Sequence, residues 1–332
     1  MIATPATPAT RSSGALRHAL LSATPELMSL ALLIVAFAIS AATLPAFLDA
    51  GYLLDRSTVY MEAGLMALAM TFVIAAGHID LSCASILALT GALVAKLHVT
   101  WGGPMLPLVL LAPLIGAALG AVNGIIVARL RIPSLVVTLA TMAAYRGLAQ
   151  ALIGDQSVPL PEAYRGFDDI LLAGVVPMPV IVFIGGAVVF GIVLHQTLFG
   201  AYVLSLGTNP EASRYSGLPV SRVTAGVFVL SGLAAGVGAM MMCSRFAYAR
   251  WDHAQGLELD VITAVVLGGA SIFGGRATIF GTVIALLLIG VLQSAMGLAN
   301  VDGEYQATAN GALLIFAVIA SNLAALVQGR RK

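Results

Sequence analysis

The chain has 332 residues, of which 60% are apolar and 9% charged, and its formal net charge is +1. Soluble globular domains carry about 25% charged residues, so this composition excludes one and points to a polytopic membrane protein. The near-zero net charge says nothing about nucleic acid, and no basic cluster suggests such a partner. Its two cysteines, Cys83 and Cys243, sit in or beside apolar runs without metal-type spacing.

Apolar runs of about 20 residues mark helices that cross a bilayer. They fall near 27–48, 58–76, 82–99, 105–128, 132–153, 170–194, 223–244, 258–274, 278–299 and 306–327. The expected fold is therefore all-α with about ten transmembrane helices, a single membrane domain over 27–327. The second, third and eighth runs are interrupted by Gly and polar residues. Residues 1–26 are rich in Ala, Thr, Pro and Ser and read as a disordered cytoplasmic tail. The run that follows is too long for a cleaved signal peptide. Residues 328–332 form a second short tail.

Basic residues collect on the cytoplasmic side of membrane proteins. With the N-terminus inside, the inner segments hold Arg11, Arg17, Arg129, Arg131, Arg214, Arg222, Arg276, Arg330, Arg331 and Lys332. The outer segments hold Arg56, Lys96, Arg165, Arg245 and Arg250, and Arg146 is left in a span. This asymmetry puts both termini inside. Two longer outer loops, 154–169 and 245–257, read either as plain connectors or as landing surfaces for an extracytoplasmic protein.

Two interrupted segments stand in similar places in the two halves: Phe72 to Leu93 and Val265 to Leu286. Their offset of roughly 190 residues suggests a weak internal repeat. Paired Gly-interrupted segments point to a transporter's pathway, since a break at membrane depth is tolerated where it lines a cavity or is buried in protein. Gly77, His78, Asp80 and Ser82 in the first break, and Gly268, Gly269, Gly274 and Gly275 in the second, are the expected pathway residues. Glycines elsewhere, as over 116–124, suit close helix packing.

Asp80 is an ionisable group inside a membrane segment, where about 2.5–3.5 kcal/mol must be offset by a partner or a function. It can cap the half-helix that restarts after it, or contact a passing polar solute. His78 beside it can bond a solute hydroxyl or be satisfied by a neighbour. Glu62 and Arg146 also lie within spans and could pair with each other. Glu258 and Asp260 sit near the start of a span.

The most polar marked stretch between two apolar runs is Gly207 to Arg222. Asn209 is a good N-cap, and Pro210 suits the first helical position. Glu211 and Arg214 complement the two ends of the helix dipole. Gly217 suits the left-handed closing residue, and Pro219 prevents a restart. A helix of about two turns follows, either an interfacial loop helix or a docking knob for a soluble partner.

The chain contains no GxxxxGK[ST] phosphate loop, no GxSxG elbow and no HExxH pair. No enzymatic or metal site is expected, and an ion gradient or a separate ATPase must energise any transport. A gradient-driven transporter using His78 and Asp80 as a proton site is the alternative reading. An intramembrane enzyme is disfavoured because no paired-carboxylate motif such as DDxxD occurs in the cytoplasmic loops.

Four stretches carry a resemblance: GHIDLSCASILALTGALVA, NGIIVARLRIPSLVVTLATMAAYRGLA, GTNPEASRYSGLPVSRV and ELDVITAVVLGGASIFGGRATIFGTVIALLLIGVLQ. In this order they resemble the membrane permease subunits of bacterial ABC importers for ribose, rhamnose, related monosaccharides and the autoinducer-2 signal. The similarity runs from about residue 58 to 325. It implies a permease dimer in the inner membrane, a cytoplasmic ATPase pair and a periplasmic solute-binding protein. ATP and magnesium would then sit on the ATPase, and this chain would bind no cofactor. It also implies that Asn209, Glu211, Arg214, Tyr215, Ser216 and Gly217 form the segment that couples to the ATPase. The family usually reads GGIDLSVGS where this chain has Gly77-His78-Ile79-Asp80-Leu81-Ser82-Cys83-Ala84-Ser85. Two glycines are replaced, by His78 and Ala84, which can narrow or re-aim the pathway. A heterodimer of two non-identical permeases, as in some relatives, is compatible with this departure.

Overall fold

The computed structural model describes residues 24–167 and 169–329. Most of the expected N-terminal tail and the last three residues lie outside this range. Helix α1 spans Thr24–Thr43, α2 Ala50–Ala75, α3 Cys83–Trp101, α4 Met105–Leu130 and α5 Ser134–Ile153. The second half holds α6 Met178–Gln196, α7 Leu198–Thr208, α8 Pro210–Tyr215, α9 Val220–Phe246, α10 Leu257–Leu267, α11 Ile279–Leu298 and α12 Gly303–Gly329. Among the described residues, strand structure is confined to two-residue pieces in the loops, β1 Val158–Pro159, β2 Leu171–Leu172, β3 Val176–Pro177 and β4 Tyr248–Ala249.

Eight described helices are long and apolar enough to cross a membrane, and α12 covers the last expected span. The expected span at 258–274 differs. It is an 11-residue half-helix, α10, followed by an irregular segment. At 1.5 Å per residue α10 reaches about 16 Å, half of a hydrocarbon core. Sequence reading merged it with the loop behind it because both are apolar. The short helix α7 was not anticipated either, since its 11 residues fall below the length of a span.

The centre of the molecule is α2, buried almost continuously from Met61 to Ala75. Helix α9 packs along it and crosses α4 at very short range. A side chain on Gly116, Gly120, Gly232 or Gly236 would overlap backbone atoms of the facing helix. Helices in lipid gain little from burying apolar surface against one another, so contact depends on small residues that let backbones approach. The glycine spacing of 116–124 thus does the packing work read from sequence. Outward faces carry exposed apolar side chains, among them Ile34, Leu110, Leu114 and Val189. This is the pattern of a surface solvated by acyl chains.

Candidate functional site: two helix breaks and a capped helix

Helix α2 ends in a Schellman motif. The N–H of His78 donates to Val73 O (3.0 Å) and that of Gly77 to Ile74 O (2.9 Å), with Gly77 at φ +80°. Helix α10 ends the same way: Ala270 N donates to Val265 O (3.2 Å) and Gly269 N to Val266 O (3.0 Å), with Gly269 at φ +92°. Gly269 therefore stands in the place of Gly77, and the two breaks share one local design. Both leave a stretch of irregular backbone before the next helix, α3 or α11.

The breaks meet. Gly275 N–H donates to Ala75 O at 2.9 Å. A Cβ on Gly274 would lie 2.9 Å from Gly77 Cα and 2.8 Å from Gly207 Cα. A Cβ on Gly207 would overlap Ala75 O and Gly275 N. Four glycines thus bring three backbones into contact: the end of α2, the loop after α10, and the end of α7. Gly207 was absent from the expected pathway residues. Its signal in the sequence, a glycine near the end of a short apolar helix, does not say what approaches it. Gly268 lies apart from this junction, against Gly281 at the start of α11.

Asp80 and Ser82 are fully buried. Asp80 Oδ1 accepts from Ser82 N (2.9 Å) and Ser82 Oγ (2.6 Å), and its Oδ2 accepts from Ser231 Oγ (2.7 Å). Asn123 Nδ2 donates to Ser82 Oγ at 2.7 Å. The carboxylate therefore satisfies the first free N–H of the restarting helix, in the manner of a cap, and ties the break to α4 and α9. Among the described residues no hydrogen bond joins Asp80 to His78. His78 instead approaches Thr224 Oγ1 (3.5 Å) and the Phe228 ring (centroids 5.8 Å apart). Ser231 and Asn123 were not singled out from sequence; each reads there as an ordinary small or polar residue in a span.

His78 borders a cavity of about 930 Å³. Its walls include Gly77, Thr224 and Phe273, the α4–α5 turn with Arg129 and Arg131, and Pro210, Glu211 and Arg214 of α8. Helix α8 has the termini its sequence requires. Asn209 Oδ1 accepts from Ala212 N at 2.9 Å. Leu218 N donates to Ser213 O at 3.1 Å, and Gly217 adopts φ +82°. Ser216 is the C-cap residue, the Glu211–Arg214 pair is loose at 3.8 Å, and Tyr215 is 87% exposed. One residue, Asn209, separates α8 from the end of α7 and so from the glycine junction.

At the far end of α9 the two longer loops pack on each other. Strands β1 and β4 pair antiparallel, Val158 opposite Ala249. Ser244 Oγ donates to Tyr164 O at 2.6 Å. Glu62 and Arg146 do not pair. Glu62 is bound by Arg245 Nε at 3.0 Å, while Arg146 Nη1 donates to Trp251 O and His253 O, both at 2.7 Å. Arg146 holds the 245–257 loop through its carbonyls, a role that only the return of that loop over α5 creates. Asp260 accepts from Asn310 Nδ2 of α12 at 3.1 Å. Among the described residues no group of three or more His, Cys, Asp or Glu could hold a metal ion.

The model of the family described as branched-chain amino acid transport system / permease component matches residues 52–318. The chain belongs to that family. The permease is 41% identical over 294 residues to the L-arabinose ABC transporter permease protein AraH of Azospirillum brasilense, covering 86% of this chain and 84% of the relative. It is 35% identical over 301 residues to the autoinducer 2 import system permease protein LsrD of Escherichia coli K12, covering 89% and 91%. The LsrD of Shigella flexneri matches equally. No solved structure matches this permease.

Proposed function

We propose that this permease forms the transmembrane pathway of an ATP-driven, binding-protein-dependent importer, and that α8 is the helix through which a separate ATPase drives it. The cargo is a small sugar or a sugar-like solute of the rhamnose, ribose or autoinducer-2 type. The names of the relatives support the solute class. The observation that carries the coupling reading is the glycine junction. Helix α8 is joined through Asn209 to α7, and α7 touches both breaks at Gly207, where Gly275 N–H bonds Ala75 O at 2.9 Å. Backbone packed on backbone has no side chain to absorb a displacement, so motion at α8 reaches the breaks directly.

In this mechanism a loaded binding protein docks on the loops at the far end of α9. ATP binding closes the ATPase pair, which pushes on α8 of this permease and of a second permease subunit, identical or not. The breaks around 77–85 and 268–276 then switch between inward and outward access. Both termini lie in the cytoplasm, and α8 with its neighbouring cavity faces the same side, as the basic residues indicate. The chain acts as one membrane unit over 27–327 with short cytoplasmic tails.

The test is co-purification in mild detergent followed by mass spectrometry and uptake. Wild-type chain should retain an ATPase subunit, while deletion of 210–216 or Gly217→Pro should lose it and abolish uptake at unchanged abundance in the membrane. Normal uptake by abundant variant protein would refute the coupling role.

A further inference from the structure

A second cavity, of about 690 Å³, lies at the opposite end of α9 from α8, between the 245–257 loop, α10, α11 and α12. Its volume is that of a small-molecule site. One wall is aromatic. The rings of Phe246, Tyr248 and His253 cluster with centroids 5.8, 5.2 and 5.4 Å apart. The other walls carry amides, including Gln293 of α11 and Gln306 and Asn310 of α12.

Two lining side chains are 92% buried or nearly so and keep an unused polar atom: His253 and Asn310 are each 8% exposed, with His253 Nε2 and Asn310 Oδ1 lacking a hydrogen-bond partner. Buried polar atoms are normally paired, and an orphan needs an explanation. The loop is also preorganised, because Arg146 grips the carbonyls of Trp251 and His253 at 2.7 Å.

Charge decides the class of ligand. Each arginine at this cavity already holds a carboxylate, Arg245 with Glu62 at 3.0 Å and Arg250 with Asp252 at 2.6 Å. Among the described lining residues no cation is left to meet a solute carboxylate, and the Asp260 carboxylate accepts from Asn310 Nδ2 at 3.1 Å, so an amino acid lacks its counter-ion here. Gln306 Nε2 donates to Val301 O at 2.8 Å and Asn310 Nδ2 to Asp260, which orients both amides and leaves their carbonyl oxygens to accept; such acceptors facing aromatic rings suit vicinal hydroxyls on an apolar ring.

We infer that this cavity is a binding subsite for a neutral polyhydroxylated solute, with Gln306, Asn310 and His253 bonding its hydroxyls and Phe246 and Tyr248 receiving its C–H face. The inference rests on the importer reading and adds to it a waiting position distinct from the helix breaks. Burial holds the His253 imidazole down to about 4, so it is neutral at physiological pH. A neutral ring donates at one nitrogen and accepts at the other.

The test uses the complete transporter, with its ATPase, companion permease and binding protein, in proteoliposomes supplied with radiolabelled L-arabinose, D-ribose and L-leucine. Wild type should take up a sugar and not leucine. Gln306→Leu, His253→Leu and Phe246→Ala should each cut sugar uptake about tenfold, equivalent to about 1.4 kcal/mol, with stimulated ATP hydrolysis retained. Phe246→Trp should rescue uptake. Undiminished sugar uptake in all three variants overturns the subsite and leaves the importer reading standing. Failure of wild type to move either sugar overturns the solute class. Should the variants misassemble, Gln306→Cys serves instead, because Cys83 and Cys243 are both buried. A saturating sugar should slow its reaction with a charged thiol reagent; an unchanged rate overturns the subsite.

Discussion

Asp80 is tied into the scaffold through both carboxylate oxygens. Its two oxygens accept three hydrogen bonds and it has no exposed surface. Asp80→Ala would strand the Ser82 N–H and hydroxyl and the Ser231 hydroxyl in the interior. An unsatisfied buried donor costs about 1–3 kcal/mol. We expect this variant to unfold in detergent at a clearly lower temperature than wild type, or to fail to accumulate. A melting temperature within about a degree of wild type, where 1 kcal/mol moves larger domains about 2–4 °C, would show that the network is dispensable. His78 is the opposite case. It stands at a cavity wall with only Thr224 Oγ1, at 3.5 Å, within hydrogen-bonding reach of its ring among the described residues.

Among the elements, α7 and α8 are joined by the single residue Asn209. The cap at Asn209, the loose Glu211–Arg214 pair and the left-handed Gly217 were all legible because each depends on neighbours within four residues. The contact that α7 makes with the breaks was not legible. Gly207 meets Ala75 and Gly275, far away in sequence, and nothing local to Gly207 encodes either. Gly207→Ala places a methyl group against those backbone atoms. It should therefore separate α7 from the breaks while leaving α8 intact. The expected outcome is an ATPase that still co-purifies and hydrolyses ATP, with solute moved per ATP falling about tenfold or more, a loss of at least about 1.4 kcal/mol in coupling. Tight stoichiometry in that variant would place the coupling path elsewhere.

For the molecule as a whole, two cavities sit at opposite ends of α9, a helix of 27 residues and so about 40 Å long. One adjoins α8 and the breaks; the other is walled on one side by the loop that Arg146 and Glu62–Arg245 hold in place. That end of α9 also gives the fold a pH dependence. His253 takes up its proton at about 4 when folded, against 6.5 ordinarily, because burial disfavours the imidazolium. The unfolded chain binds the proton first as pH falls, so this contribution to stability is full above 6.5 and is lost toward 4. Thermal unfolding in detergent should shift down between pH 7 and pH 4.5, and His253→Gln should flatten that shift. An identical slope in the variant would assign the dependence to other groups.

The sequence by itself determined the class of protein, the positions of most spans, the two breaks and the capped helix. Those features depend on apolar run length, on glycine and proline, and on caps, all of which act over a few residues. It could not separate the half-helix α10 from the apolar loop behind it, nor choose Arg245 over Arg146 as the partner of Glu62. The tertiary structure alone decided that Gly77, Gly207, Gly274 and Gly275 form one junction, that Asp80 is buried between α4 and α9, and that the 245–257 loop, α10, α11 and α12 line a polar and aromatic cavity. The physical reason is common to all three. Packing in a membrane follows small residues and hydrogen bonds rather than a hydrophobic pattern, so which distant backbones come together leaves no periodic trace in the chain.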